Sequence, residues 1–264
     1  MAALSCAGLF SLPARAAEPA SPSVSAIYTR MALAMRQESP AAALSYRETF
    51  VPAGLTISIA GAKGDDVRPR LVFAPRTQPA VFDVSQRADG VSDVVDRTTG
   101  ARFTGSSLFW APTWWAVHTS GAVAADSASS PTAAGAGLFD SGRSRVVADA
   151  LAISDRYYRM ELDDTAGDAT TYHLRLTART DPQAHPLTDL YVDRQTYLLR
   201  SAVAAFKNET PVSGFAGTMR LDFGRMQSYW TVVGGTVSAR AHVLLRHARG
   251  STDFTLSDVT VQSG

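Results

Sequence analysis

Cysteine, lysine and asparagine are nearly missing from this 264-residue sequence: Cys6 is the lone cysteine, lysine occurs at Lys63 and Lys207, and asparagine only at Asn208. A single cysteine excludes a disulfide framework and a cysteine-built zinc cluster. An excess of one charge is missing too. Lys plus Arg number 25 against 24 Asp plus Glu, and the arginines alternate with acids, so nothing supports a nucleic-acid partner. Away from the N-terminus no apolar run reaches the roughly 20 residues that a membrane helix requires, and a soluble chain is expected. The shortage of lysine and asparagine beside abundant alanine and arginine fits a GC-rich bacterial coding sequence.

Catalytic signatures are absent as well. The sequence holds no H-E-x-x-H, no phosphate-binding Walker loop and no G-x-S-x-G elbow. Its five histidines are His118, His173, His185, His242 and His247, with no pair at helical metal-ligand spacing. His242 and His247, five apart, read as one strand with the two rings on opposite faces, which argues against joint ligation. Asp163 and Asp164 read as turn residues. No enzyme, no cofactor and no metal are expected.

What is present at the N-terminus is a small apolar stretch, Ala2 to Leu12, followed by Ala14-Arg15-Ala16, the pattern a signal peptidase accepts. It reads as a signal peptide over 1–16, without a basic leading region, and makes the expected location periplasmic or otherwise exported. Removal would leave a chain with no cysteine. Cys6 follows Ala3-Leu4-Ser5, one residue out of step with a lipidation motif. A Pro/Ser-rich linker, 17–25, leads into a helix capped by Ser23 or Ser25, with Ile27, Met31, Ala34 and Met35 on one side and a stop before Pro40.

From there a single domain, 26–264, is predicted. Strand signals run over 43–51, where Leu44, Tyr46 and Glu48 alternate with Ser45, Arg47 and Thr49, then over 55–60, 70–74, 83–96 and 101–109. An antiparallel meander is the economical pairing. Trp110, Trp114 and Trp115 then cluster beside a proline, either as core packing or as a platform for a ligand. Residues 120–144 are a low-complexity insertion of Ala, Ser and Gly. Strands resume at 145–153, 157–162 and 172–177, where Tyr172, Leu174 and Leu176 share one face and His173, Arg175 and Thr177 the other. Residues 187–192 end in Asp193-Arg194-Gln195-Thr196, a tight turn into 197–206. Strand 219–223 follows, then 229–233, a Gly234-Gly235 turn, 236–247, an Arg249-Gly250 turn and 253–261. The fold class is mainly β, α+β.

The run Leu190-Tyr191-Val192-Asp193, with Thr196-Tyr197-Leu198, Leu221-Asp222-Phe223, Tyr229-Trp230, Val233-Gly234-Gly235 and the closing Leu256-Ser257-Asp258-Val259, resembles the LolA-like periplasmic lipoprotein carriers. The likeness covers the C-terminal third and the N-terminal helix leading into a strand. It implies a curved antiparallel sheet forming an unclosed half-barrel, with a short N-terminal helix and a few covering helical segments, whose apolar face holds the acyl chains of lipids or lipoproteins. A donor or acceptor protein of the envelope and a monomeric state go with it. Candidate wall residues are Leu174, Leu176, Leu190, Val192, Met219, Leu221, Phe223, Val243 and Leu245; pattern alone leaves open whether they line a cavity or fill a core. The alternative is an envelope structural or interaction domain without lipid cargo, using Trp110, Trp114 and Trp115 as an exposed patch.

Overall fold

The computed structural model of the chain describes residues 22–38, 44–60, 68–73, 78–87, 91–105, 110, 156–163, 168–182, 185–210 and 213–261. The leader at 1–16, most of the linker, Trp114, Trp115, His118, the insertion at 120–144 and the strand expected at 145–153 lie outside the described residues.

Helix α1 spans Val24–Glu38 and buries Ile27, Met31 and Met35, a stripe at four-residue spacing. Of the two serines expected to cap it, Ser23 does so: its Oγ accepts the Ala26 N–H at 3.2 Å, while Ser25 lies inside the helix. Thirteen strands follow: β1 (Leu44–Ala53), β2 (Thr56–Ala60), β3 (Arg68–Val72), β4 (Ala80–Gln86), β5 (Ser92–Asp96), β6 (Arg102–Gly105), β7 (Tyr158–Leu162), β8 (Thr171–Ala178), β9 (Leu187–Asp193), β10 (Leu199–Glu209), β11 (Ser213–Met226), β12 (Tyr229–Val243) and β13 (Arg246–Val261).

Eleven of them form one sheet in the order β6-β5-β4-β1-β13-β12-β11-β10-β9-β8-β7, with every neighbouring pair antiparallel. β6 and β7 stand at opposite edges, so the sheet is not closed into a barrel, as the resemblance implies. One expectation about its surroundings needs correcting. β2 and β3 leave the meander and pair with each other as a separate ribbon. Leu55, Ile57 and Ile59 bury that ribbon in the common core, and β2 packs against β1 and β4. Among the described residues α1 is the one helix of the cover, lying over the β7 to β12 half through contacts with both those strands.

The β12–β13 region departs furthest from expectation. Gly234 and Gly235 are not a turn but sit within β12, Arg249 and Gly250 sit within β13, and the chain reverses at Leu244-Leu245. The glycines are there for space. A Cβ on Gly235 would fall 2.0 Å from the Arg220 carbonyl oxygen and 2.9 Å from the Phe254 ring, and one on Gly250 would fall 2.4 Å from the backbone of Gly54. Glycine in a strand interior marks such close approach as readily as it marks a turn.

The β9–β10 turn forms as its aspartate predicts. Asp193 Oδ1 accepts from the Gln195 N–H (3.0 Å), the Thr196 N–H (2.8 Å) and the Thr196 hydroxyl (2.9 Å), while Arg200 reaches Oδ2 at 2.7 Å. Tyr197 takes φ 59 at the end of the turn, and its hydroxyl accepts from Arg30 of α1 at 2.7 Å. Burial pushes the Asp193 carboxyl up, but the hydrogen bonds from Thr196, Arg200 and Gln195 outweigh it and hold the group down at about 2.

Two measurements check these points. Gly235→Ala should cost about 2–3 kcal/mol through overpacking against Phe254 and the Arg220 carbonyl, read by urea unfolding. Because its folded-state pKa is depressed, Asp193 contributes stability above the ordinary aspartate range that is lost as pH falls toward about 2. The unfolding midpoint of Asp193→Asn should lie below that of the parent at neutral pH and converge with it near the acid end of that window.

Candidate functional site

Cross-strand register assembles one row through nine strands: Leu162, Leu174, Leu190, Ala202, Leu221, Gly235, Phe254, Phe50 and Ala80 stand opposite one another in turn. All but Leu162 are buried. Because side chains alternate with period two, a strand that places one residue in this row places its second neighbours on the same face. Thus Leu176, Met219 and Val237 extend it. The face is apolar across most of the sheet's width, and its cover is made of two parts. α1 lies over one half, with Met35 Sδ 3.5 Å from the Leu199 amide. The β2–β3 ribbon and Trp110 pack on the other.

Trp110 is fully buried and packs on Phe82 and Phe50 at ring-centroid distances of 4.9 and 5.9 Å, with Phe254 against Phe50 at 5.5 Å. Its carbonyl accepts from Gln86 Nε2 at 2.5 Å and from the Ser92 hydroxyl at 3.2 Å. The packing reading of this tryptophan is therefore the right one, and it contributes nothing to an exposed aromatic patch.

Seven of the nine predicted wall residues, Leu174, Leu176, Leu190, Val192, Met219, Leu221 and Phe223, are buried in this core. Val243 and Leu245 are not: they lie at the β12–β13 reversal, 60% and 94% exposed. The reason is the misplaced turn. With the chain reversing at 244–245, Val243 ends β12 beyond the covered part of the face and Leu245 lies in the turn itself.

The alternating pattern of β1 also carried a signal that sequence reasoning passed over. Leu44, Tyr46, Glu48 and Phe50 share the buried side of the strand, so Glu48 is a carboxyl set among apolar groups. It stands opposite Leu256 of β13 and Phe82 of β4. Its Oε2 and the Tyr46 hydroxyl are buried and meet no protein hydrogen-bond partner. Burial pushes the Glu48 carboxyl well above the usual range. Burial, and then the nearby Glu48 charge, push the Tyr46 phenol up. Burial thus favours the protonated form of both, a carboxylic acid and a phenol that can each donate a hydrogen bond inside an apolar face.

The opposite side of the sheet is ionic. His173 stacks on Tyr191 at 4.6 Å, sets Nε2 2.7 Å from Asp189 and Nδ1 3.8 Å from Asp163, and Asp163 also accepts from Arg175 at 2.5 Å. His173 and Arg175 lie away from the covered face, as predicted. The two remaining strand histidines correct the sequence reading: His242 and His247 are not on opposite faces of one strand but face each other across the hairpin, rings 6.0 Å apart. Among the described residues no group of three or more His, Cys, Asp or Glu could hold a metal ion.

No protein-family model matches the chain, and no curated protein matches it. Solved structures do align over nine-tenths of its length. A LolA superfamily protein from Nitrosomonas europaea covers 92% of this chain and 96% of its own at 11% identity and a TM-score of 0.38. A domain from Vibrio parahaemolyticus described as an outer membrane lipoprotein-sorting protein covers 90% and 92% at 10% identity and a TM-score of 0.36. The MucA/MucB complex of Pseudomonas aeruginosa gives 91% and 99% at 12% identity and a TM-score of 0.21. These include the superfamily that the C-terminal motifs resemble.

Glu48 gives the site a pH signature opposite in sign to that of Asp193. With its folded-state pKa raised, the folded protein keeps a proton that the unfolded chain releases, so stability falls as pH rises above the ordinary glutamate range. Glu48→Gln keeps the shape and removes the titration. Urea unfolding should find it more stable than the parent at neutral pH and about equal to it at mildly acidic pH.

Proposed function

We propose that the chain is an exported, non-enzymatic binder or carrier of acyl chains, belonging to lipids or lipoproteins, on the covered face of its open sheet. The observation that carries this reading is the pair Tyr46 and Glu48. A face that had only to fill a core would gain nothing from two polar groups without partners, each costing about 1–3 kcal/mol by desolvation. A bound ester or carboxyl group would satisfy both, with its hydrocarbon laid along the row through Phe254, Leu221 and Leu190. Transfer of hydrocarbon from water contributes about 0.8 kcal/mol per methylene, so binding needs apolar surface and a movable cover, and no covalent chemistry.

α1 suits the part of the cover that moves. Its buried side is Ile27 and two methionines, and methionine adapts to changing surroundings. Its outer ties are polar: Arg30 to Tyr197 at 2.7 Å, and Glu38 to Arg225 at 2.9 Å. In this reading the protein works in the periplasm as a monomer, receives its cargo from one envelope protein and passes it to another, and needs no cofactor.

Native mass spectrometry with lipid extraction, on protein exported to a bacterial periplasm, tests the proposal. Acyl species should co-purify, and should be lost from a Leu221→Asn, Phe223→Ser variant whose circular dichroism and cooperative melting persist. A clean apo mass that takes up no lipid on titration overturns it.

A further inference from the structure

The β12–β13 reversal breaks three local rules at once. Two-residue hairpin turns favour Gly, Asn or Asp, because they demand left-handed backbone. Here the turn is Leu244-Leu245, and Leu244 takes φ 54, a conformation unfavourable for a leucine. Both leucines face solvent, 71% and 94% exposed, beside Val243 at 60%, so the apolar surface finds no compensation inside the fold. Below the tip the register sets Arg240 opposite Arg249, a like-charge pair that a sheet ordinarily avoids.

The hairpin's own sequence is one-signed. Between Asp222 and Asp253 the sequence holds no acid, but it holds Arg225, Arg240, Arg246 and Arg249. Arg240, Arg246 and Arg249 are exposed. The hairpin end also stands clear of half the sheet. β1 pairs β13 only from Ser251 onward, so Arg246 to Arg249 have β12 as their ladder partner. The result is an apolar point of three residues flanked by arginines at one end of the β11–β12–β13 ladder, where β12 keeps β11 as its other neighbour up to Val243.

We propose that this tip docks on an anionic lipid bilayer, with Val243, Leu244 and Leu245 entering the headgroup boundary and Arg246 and Arg249 meeting lipid phosphates. Charge selects this occupant. Each arginine near an anionic leaflet is attracted, whereas a second copy of the hairpin would bring one arginine pair against another. The inference rests on the hairpin alone and stands whatever the covered face binds.

Vesicle co-sedimentation tests it with the full chain, using vesicles of phosphatidylcholine alone and of phosphatidylcholine mixed with phosphatidylglycerol. The parent should bind the mixed vesicles about tenfold better than the neutral ones, with binding falling as salt is raised. Leu244→Gly with Leu245→Asn supplies favoured turn residues and should leave the melting temperature equal or higher, while cutting vesicle binding about tenfold. Leu33→Asp, at an exposed leucine on α1, should bind as the parent does. Equal binding to both vesicle types, full binding by the turn variant, or a parent dimer that this variant turns into monomer would each overturn the proposal. The stability readout separates the two roles: a tip needed only for folding loses stability on this change, and a docking tip does not.

Discussion

The architecture depends on one long-range pairing, that of β1 with β13. Arg47 and Asp258 form an ion pair across 211 residues of sequence at 2.5 Å, and the two strands align from Leu44 opposite Val261 to Ala53 opposite Ser251. That contact joins two hairpin systems, β4 to β6 on one side and β7 to β12 on the other, into a single sheet. It also sets Phe50 against Phe254, which continues the apolar row across the seam, and it encloses Glu48 between Leu256 and Phe82. Without the seam neither half would have a neighbour for its innermost strand, and the buried carboxyl would face water.

Enclosure of Glu48 and Tyr46 makes the covered face chemically uneven. Phe50, Phe82, Trp110 and Phe254 form an aromatic block around β1, while the far half mixes Leu174, Leu190 and Leu221 with Tyr158, Tyr172 and Phe223. The polar pair sits at the aromatic end. An elongated amphiphile lying along such a face has one orientation that satisfies both its ends, with the polar group at β1 and the chain toward β8.

Much of this was legible in the sequence, and what was not has identifiable causes. Period-two alternation located most strands, and Asp193 announced its turn, because both are local effects. An antiparallel sheet followed from the same pattern, and that it stays unclosed was what the resemblance to the LolA-like carriers implied. The β12–β13 boundary was misread because glycine carries two meanings: Gly235 and Gly250 sit where another backbone or an aromatic ring comes too close for a Cβ, a fact set by residues distant in sequence. The real reversal at Leu244-Leu245 has no turn residues to announce it. That single displacement put Leu245 among the wall residues and set His242 and His247 on opposite faces, while Val243 keeps the wall parity but falls at the exposed end of β12. The detachment of β2–β3 was equally hidden, since the choice of β4 over β2 as partner for β1 depends on register over the whole strand. Glu48 was the opposite case, a signal in plain view whose parity with Leu44, Tyr46 and Phe50 was enough to mark it.

The order of strands also says something about how such a sheet can be assembled. From β7 to β13 every strand neighbours its sequence successor, so each pairing closes a short loop and carries a small entropic cost. β4 to β6 form a second local unit. The seam is the exception, and it asks two already formed units to find each other across most of the chain, the kind of non-local step that slows folding. Until it closes, β13 presents a sixteen-residue strand with one bare side, and the Arg47 partners Asp83 and Asp258 belong to separate halves. The terminal strand is thus the slow-closing edge of the protein, and the interval before β1 arrives is when the nascent chain is most open to pairing with a stranger.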